Sequence, residues 1–263
     1  MKHFLKILIL AVCFFNFTLS VNAKDWKFIQ VTDLNYQNNP TSIENFNNLI
    51  KSINETKDLD FVVFTGDNIK KSDKSDMKDF FKKAKKINVP YYVQFGDTDC
   101  SRNALRKSDA QKLLSRNSFY RIRNLNYAVA KGNLELIFVD GTKEMVTMGG
   151  YFNKDTLNWL DKKLKSNKNK NVIIFQHFPL VELNETSMKN LYERDKYISL
   201  IEKYGNVKYV FTGHFNENRE SSISNITHFV TSAASEGNSC YRVVVLKSLN
   251  NKEYDIFSQI VRF

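Results

Sequence analysis

Short apolar, often β-branched runs recur along the chain at Lys27–Thr32, Asp60–Thr65, Tyr91–Phe95, Asn126–Ala130, Leu134–Val139, Val172–Gln176, Val207–Thr212, Ile226–Thr231, Tyr241–Leu246 and Tyr254–Val261. Their length and residue types predict strands. Between the early runs the apolar spacing changes to that of one helix face, through Ile43, Phe46, Leu49, Ile50 and Ile53, then Met77, Phe80, Phe81, Ala84 and Ile87. Further helices are expected over Ala104–Leu114, Asp155–Leu164 and Met188–Lys203. Alternating strands and helices followed by a strand-rich end predict an α/β protein.

Phe61–Phe64 and Val172–Phe175 are apolar without alternation, the mark of central strands covered on both faces. A polar or ionisable residue stands directly beyond the early strands and two later ones. Asp33 follows the first run, Gly66-Asp67 the second, Gly96-Asp97 the third, His177 follows Val172–Gln176, and Gly213-His214 follows Val207–Thr212. Sites in open α/β sheets form outside the carboxyl ends of strands, so these five positions are expected to share one crevice.

The 263 residues carry 42% hydrophobic and 25% charged side chains with only 9 Gly and 3 Pro, which excludes a disordered or low-complexity chain. The net charge of +11 favours anionic partners without choosing among them. Eight lysines between Lys70 and Lys86, interleaved with Asp73, Asp76 and Asp79, read as the solvated face of a helix. No segment has the aromatic interleaving of a single-strand nucleic-acid platform, so no specific nucleic-acid partner is expected.

Residues 1–23 read as a signal peptide: Lys2 and Lys6, an apolar stretch from Ile7 to Phe15, and Val21-Asn22-Ala23 as the cleavage site. The domain is then 24–263, secreted or periplasmic, with no membrane anchor after cleavage. A lipoprotein reading through Cys13 is disfavoured by Val12 before it. Cys100 and Cys240 remain, either as a bridge in an oxidising compartment or as two buried thiols.

Asp33, Asp67, Asp97, His177 and His214 are the oxygen and imidazole donors that a divalent-metal phosphoryl-transfer site requires. In the order Asp33-Leu34-Asn35, Gly66-Asp67-Asn68, Gly96-Asp97-Thr98-Asp99, Gln176-His177-Phe178-Pro179 and Gly213-His214-Phe215-Asn216, the chain resembles the calcineurin-like metallophosphoesterases, which include the purple acid phosphatases. The resemblance runs over nearly all of 26–247. It implies a β-sandwich of two mixed sheets flanked by helices, one domain, and one or two divalent ions of Mn, Zn, Mg or Fe. It also implies a small phosphate-ester substrate, a mono- or diester, attacked by metal-activated water.

By that resemblance the first metal would be held by Asp33, Asn35, Asp67 and Asn216, and the second by Asp67, Asp97, His177 and His214, with Asp67 bridging. The family's two imidazoles at the first position are carboxamides here, which are weaker, harder ligands. Thr98 stands where the family has the histidine that assists the leaving group, so Asp67, Asp97 and Thr98 are the expected catalytic residues. A threonine has no pKa suited to acid catalysis near neutrality, and Asp99 is a possible substitute donor. The alternative is a catalytically impaired relative that binds a phosphorylated ligand or a protein. His228, outside every motif, is expected to be structural.

Overall fold

The computed structural model describes residues 24–118, 122–145, 148–250 and 253–263, so the expected signal peptide lies outside the described residues. Two mixed sheets face each other. The first contains β1 (Trp26–Val31), β2 (Phe61–Thr65), β3 (Tyr91–Gln94), β10 (Cys240–Asn250) and β11 (Glu253–Arg262), in the order β11-β10-β1-β2-β3. The second contains β4 (Tyr127–Lys131), β5 (Leu134–Phe138), β6 (Asn171–Phe175), β7 (Val207–Thr212), β8 (Arg219–Ile223) and β9 (Ile226–Val230), in the order β4-β5-β6-β7-β9-β8. β1, β2 and β3 are mutually parallel, as are β5, β6, β7 and β9, and the remaining pairs are antiparallel.

The period of two assigns each side chain a layer. Phe28 stacks on Phe61 within the first sheet and meets Phe175 and Phe211 of the second edge-on, at ring distances of 5.7 and 5.3 Å. Phe138, Phe175, Phe211 and Phe229 form a continuous aromatic row across the second sheet, each ring stacked on the next. Residues of opposite parity pack outward. Phe64 meets Phe46 of α1 (Pro40–Glu55) and Phe80 of α2 (Lys74–Ala84). Ile137, Ile174 and Val210 join Leu160 of α4 (Lys154–Ser166) and Tyr197 of α5 (Arg194–Glu202). Among the described residues no helix is long and apolar enough to cross a membrane.

The expected elements form with shifts that have local causes. α3 (Lys107–Asn117) starts later than Ala104, because the Ser101 amide bonds the Leu105 carbonyl and closes a turn there. α5 starts at Arg194 rather than Met188, because the Tyr192 amide donates to Gly150 and Glu193 takes a left-handed φ of 51°. β8, with the sequence Arg-Glu-Ser-Ser-Ile, has no apolar pattern and was not expected as a strand; it is an edge strand against β9. The Lys70–Lys86 run is only partly helical. Lys70 and Lys71 precede α2, whose cap is Asp73. Cys100 and Cys240 are both buried free thiols.

Candidate metal centre

All five predicted positions lie just beyond the carboxyl ends of β1, β2, β3, β6 and β7. At these turns the chain leaves ordinary backbone space. Asp33, Asn35 and Asp67 each have φ of 50°, His214 has 70° and Asn216 has 56°. Left-handed non-glycine residues cost on the order of 1–3 kcal/mol each and persist where the surroundings over-determine them. Two glycines make the turns fit together. A Cβ on Gly96 would lie 2.2 Å from Asp67 Oδ1, and one on Gly213 would lie 1.9 Å from Thr32 Oγ1 and 2.4 Å from Asp33 Oδ2.

Asp67, Asp97, His177 and His214 converge, all buried, with one potential ligand atom from each lying within 4.8 Å of the others. His177 Nδ1 is 3.0 Å from the Thr65 carbonyl, which fixes the proton there and turns Nε2 toward the carboxylates. That Nε2 is 3.1 Å from Asp97 Oδ1 and 3.4 Å from Asp67 Oδ1, and His214 Nδ1 is 3.0 Å from the same Asp97 oxygen. Imidazole lone pairs cannot face a carboxylate oxygen at this range unless a proton or a cation lies between them. Burial alone would hold His177 neutral, but Asp67, Asp33 and Asp97 outweigh it and raise its pKa well above the histidine range. Burial likewise opposes the Asp97 charge, yet its bonds to His177 and His214 hold it below the usual carboxylate range. Buried carboxylates facing two imidazoles are a donor set that fits a divalent cation such as Zn²⁺ or Mn²⁺.

The remaining predicted ligands are placed differently. Asp33 is buried beside the four, its Oδ2 accepting from the Thr32 hydroxyl at 2.6 Å and the His214 amide at 2.9 Å. Burial, with Asp67 nearby, raises its pKa. Asn35 turns its carboxamide nitrogen back to the Asp33 carbonyl at 3.1 Å, and Asn216 is exposed. The expected first-metal set is therefore Asp67, which also belongs to the four-residue group, the engaged Asp33 carboxylate, and the two carboxamides of Asn35 and Asn216.

Thr98 donates its amide to Asp67 Oδ1 at 3.0 Å and its hydroxyl to the Ile69 carbonyl at 2.6 Å, so it fixes Asp67 and has its proton committed. Asp99 does not face the centre. It is buried under the motif, accepting from the Gly96 and Ile69 amides and the Asn68 carboxamide, and burial pushes its pKa up to about 7. It braces the turn and is withdrawn from the proton-donor role. His228 is structural as expected, buried with Nε2 3.1 Å from the Thr212 hydroxyl. Sequence reasoning missed the Thr65 carbonyl, whose role is set by the backbone.

The calcineurin-like phosphoesterase family profile matches residues 27–217, and the chain belongs to that family. A probable glycerophosphodiester phosphodiesterase from Arcobacter nitrofigilis is 29% identical over 171 residues, which span 64% of this chain and 60% of that protein. The fold is also that of a dimetal phosphatase from Danio rerio, with a TM-score of 0.63 and 14% identity over 88% of this chain and 98% of the other. A purple acid phosphatase from yellow lupin superimposes with a TM-score of 0.62 and 16% identity over 90% of this chain and 54% of its own.

Proposed function

We propose that this protein is an exported, metal-dependent hydrolase of phosphate esters, with phosphodiesters as the first class to try. The observation that carries the reading is the convergence of Asp67, Asp97, His177 and His214 on one buried point at the strand ends. The name of the Arcobacter relative supports the diester preference, and the signal-like residues 1–23 support export. These four side chains would hold the cation. Once bound, it supplies Lewis-acid polarisation of a phosphoryl oxygen and a lowered pKa for water. The chain's own contribution is orientation: Thr65 sets the His177 tautomer, Thr98 sets Asp67, and the Asp33 carboxylate anchors the His214 turn.

The test is elemental analysis after incubation with Mn²⁺ or Zn²⁺, followed by assay of bis(p-nitrophenyl) phosphate and p-nitrophenyl phosphate. We expect one tightly held ion per chain, diester turnover, and loss of both in His214→Ala and Asp67→Asn. A chain that retains no ion and turns over neither ester overturns the proposal. A second reading, a ligand-binding relative without turnover, is favoured by Asn35, Asn216 and the committed Thr98 hydroxyl. It predicts a bound ion with no hydrolysis of either ester.

A further inference from the structure

Beyond Asp33 and Asp67 the first two strands continue as paired segments. The Asn35 amide donates to the Asp67 carbonyl at 2.9 Å, the Tyr36 amide to Asn68 at 3.0 Å, and the Lys70 amide to Tyr36 at 3.1 Å. Tyr36 and Ile69 are buried, so the backbone on either side is fixed while Asn35 and Lys70 turn outward. Together they wall a cleft of about 370 Å³, shared with Gln37, Asn39, Ser235 and Glu236. The cleft thus begins at Asn35, the carboxamide at an expected metal-ligand position, and reaches Lys70, three residues along the chain from Asp67.

Lys70 is the cation on this wall. Its side chain is exposed, and among the described residues no ion pair or hydrogen bond engages its ammonium, although Glu236 lines the same space. The lysines nearest in sequence differ. Lys71 is not among the residues that line this cleft, and Lys74 pairs with Asp109. A held backbone carrying an unpaired ammonium, surrounded by carboxamide and hydroxyl donors, is the chemistry that recognises an anionic oxygen. It also shares the cleft with Asn35, the carboxamide at an expected metal-ligand position.

We propose that this cleft is a phosphate-binding subsite and that Lys70 is its specificity-determining residue, gripping an anionic oxygen of the phosphorylated ligand. The proposal takes its ligand class from the phosphoester reading but requires no turnover. The experiment is calorimetric titration of inorganic phosphate into the full chain, in buffer containing Mn²⁺, for the wild type and Lys70→Met, Lys70→Arg and Lys71→Met. The Lys70→Met variant should bind phosphate at least about tenfold more weakly, the effect of losing one charge-assisted hydrogen bond. Lys70→Arg should retain most of the affinity, and Lys71→Met all of it.

Wild-type affinity in Lys70→Met overturns the proposal, as does an equal loss in Lys71→Met or the absence of phosphate binding by the wild type. An inactive chain whose phosphate affinity depends on Lys70 keeps this subsite and removes hydrolysis. An active chain whose affinity ignores Lys70 does the reverse.

Discussion

Asn35 and Asn216 stand where the family resemblance expects imidazole ligands of a first metal. Four donors are assembled at Asp67, Asp97, His177 and His214, whereas the neighbouring set has two neutral amides, one of them exposed. Restoring imidazoles with Asn35→His plus Asn216→His should raise the metal content from one to two ions per chain by elemental analysis. An unchanged content would mean that Asp33, tied to Thr32 and the His214 amide, is what withholds the second ion. Gly213→Ala should be worse than an ordinary core change, since its Cβ would meet Thr32 Oγ1 at 1.9 Å. We expect a loss of about 1–3 kcal/mol by urea denaturation, together with reduced metal content, because the His214 turn must shift. At this scale the sequence was readable wherever a side chain performs the role. It was silent for the Thr65 carbonyl, and it placed Asp99 among candidate acids because adjacency along the chain does not reveal that three donors bury it.

Between elements, the joint of the two sheets depends on a buried cation. Arg242 of β10 donates to the Thr231 hydroxyl at 2.8 Å, the Val230 carbonyl at 3.1 Å and Ser258 of β11 at 2.9 Å, with its guanidinium over the Phe229 ring. Burial pulls its pKa down to about 10, so it remains charged throughout the working range. A lysine cannot reproduce that fork, and Arg242→Lys should lower stability by about 2–3 kcal/mol in urea titration. An unmoved midpoint would mean that water serves those acceptors equally well. Strands such as β1 and β7 were legible because a core covered by side chains such as Phe28 and Phe211 demands short apolar runs there. β8 was not, because an edge strand exposed to solvent has no such demand and only its ladder to β9 defines it. The start of α5 was hidden for a related reason: Leu191 is buried and continues the apolar pattern, but by loop packing.

For the molecule as a whole, stability is linked to protons and, on the proposed reading, to a bound cation. His228 is buried among β7, β8 and β9, and burial, helped by Arg219, pulls its pKa down to about 3. The unfolded chain takes up a proton near 6.5 that the fold refuses until about 3. Its contribution is therefore complete above pH 6.5 and declines as pH falls through that window, by roughly 1.4 kcal/mol per pH unit. Urea midpoints measured between pH 7.5 and pH 4 should show a shallower decline for His228→Gln than for the wild type; parallel curves would assign the acid sensitivity elsewhere. A cation bound only by the folded chain should stabilise it by about 2.7 kcal/mol at a hundredfold excess over its Kd. Chelation should accordingly lower Tm by roughly 5–10 °C, and a chelator-insensitive Tm would show that the cation is not held by the native centre.

The left-handed turns at Asn35 and Asn216 also bear on the order of events in the life of the chain. Asn and Asp enter that backbone region more readily than other side chains, so these two turns cost less to close than the His214 turn does. If the proposed centre takes up a cation, such a chain can fold first and load afterwards. Folding and loading would then be separate steps, each with its own rate.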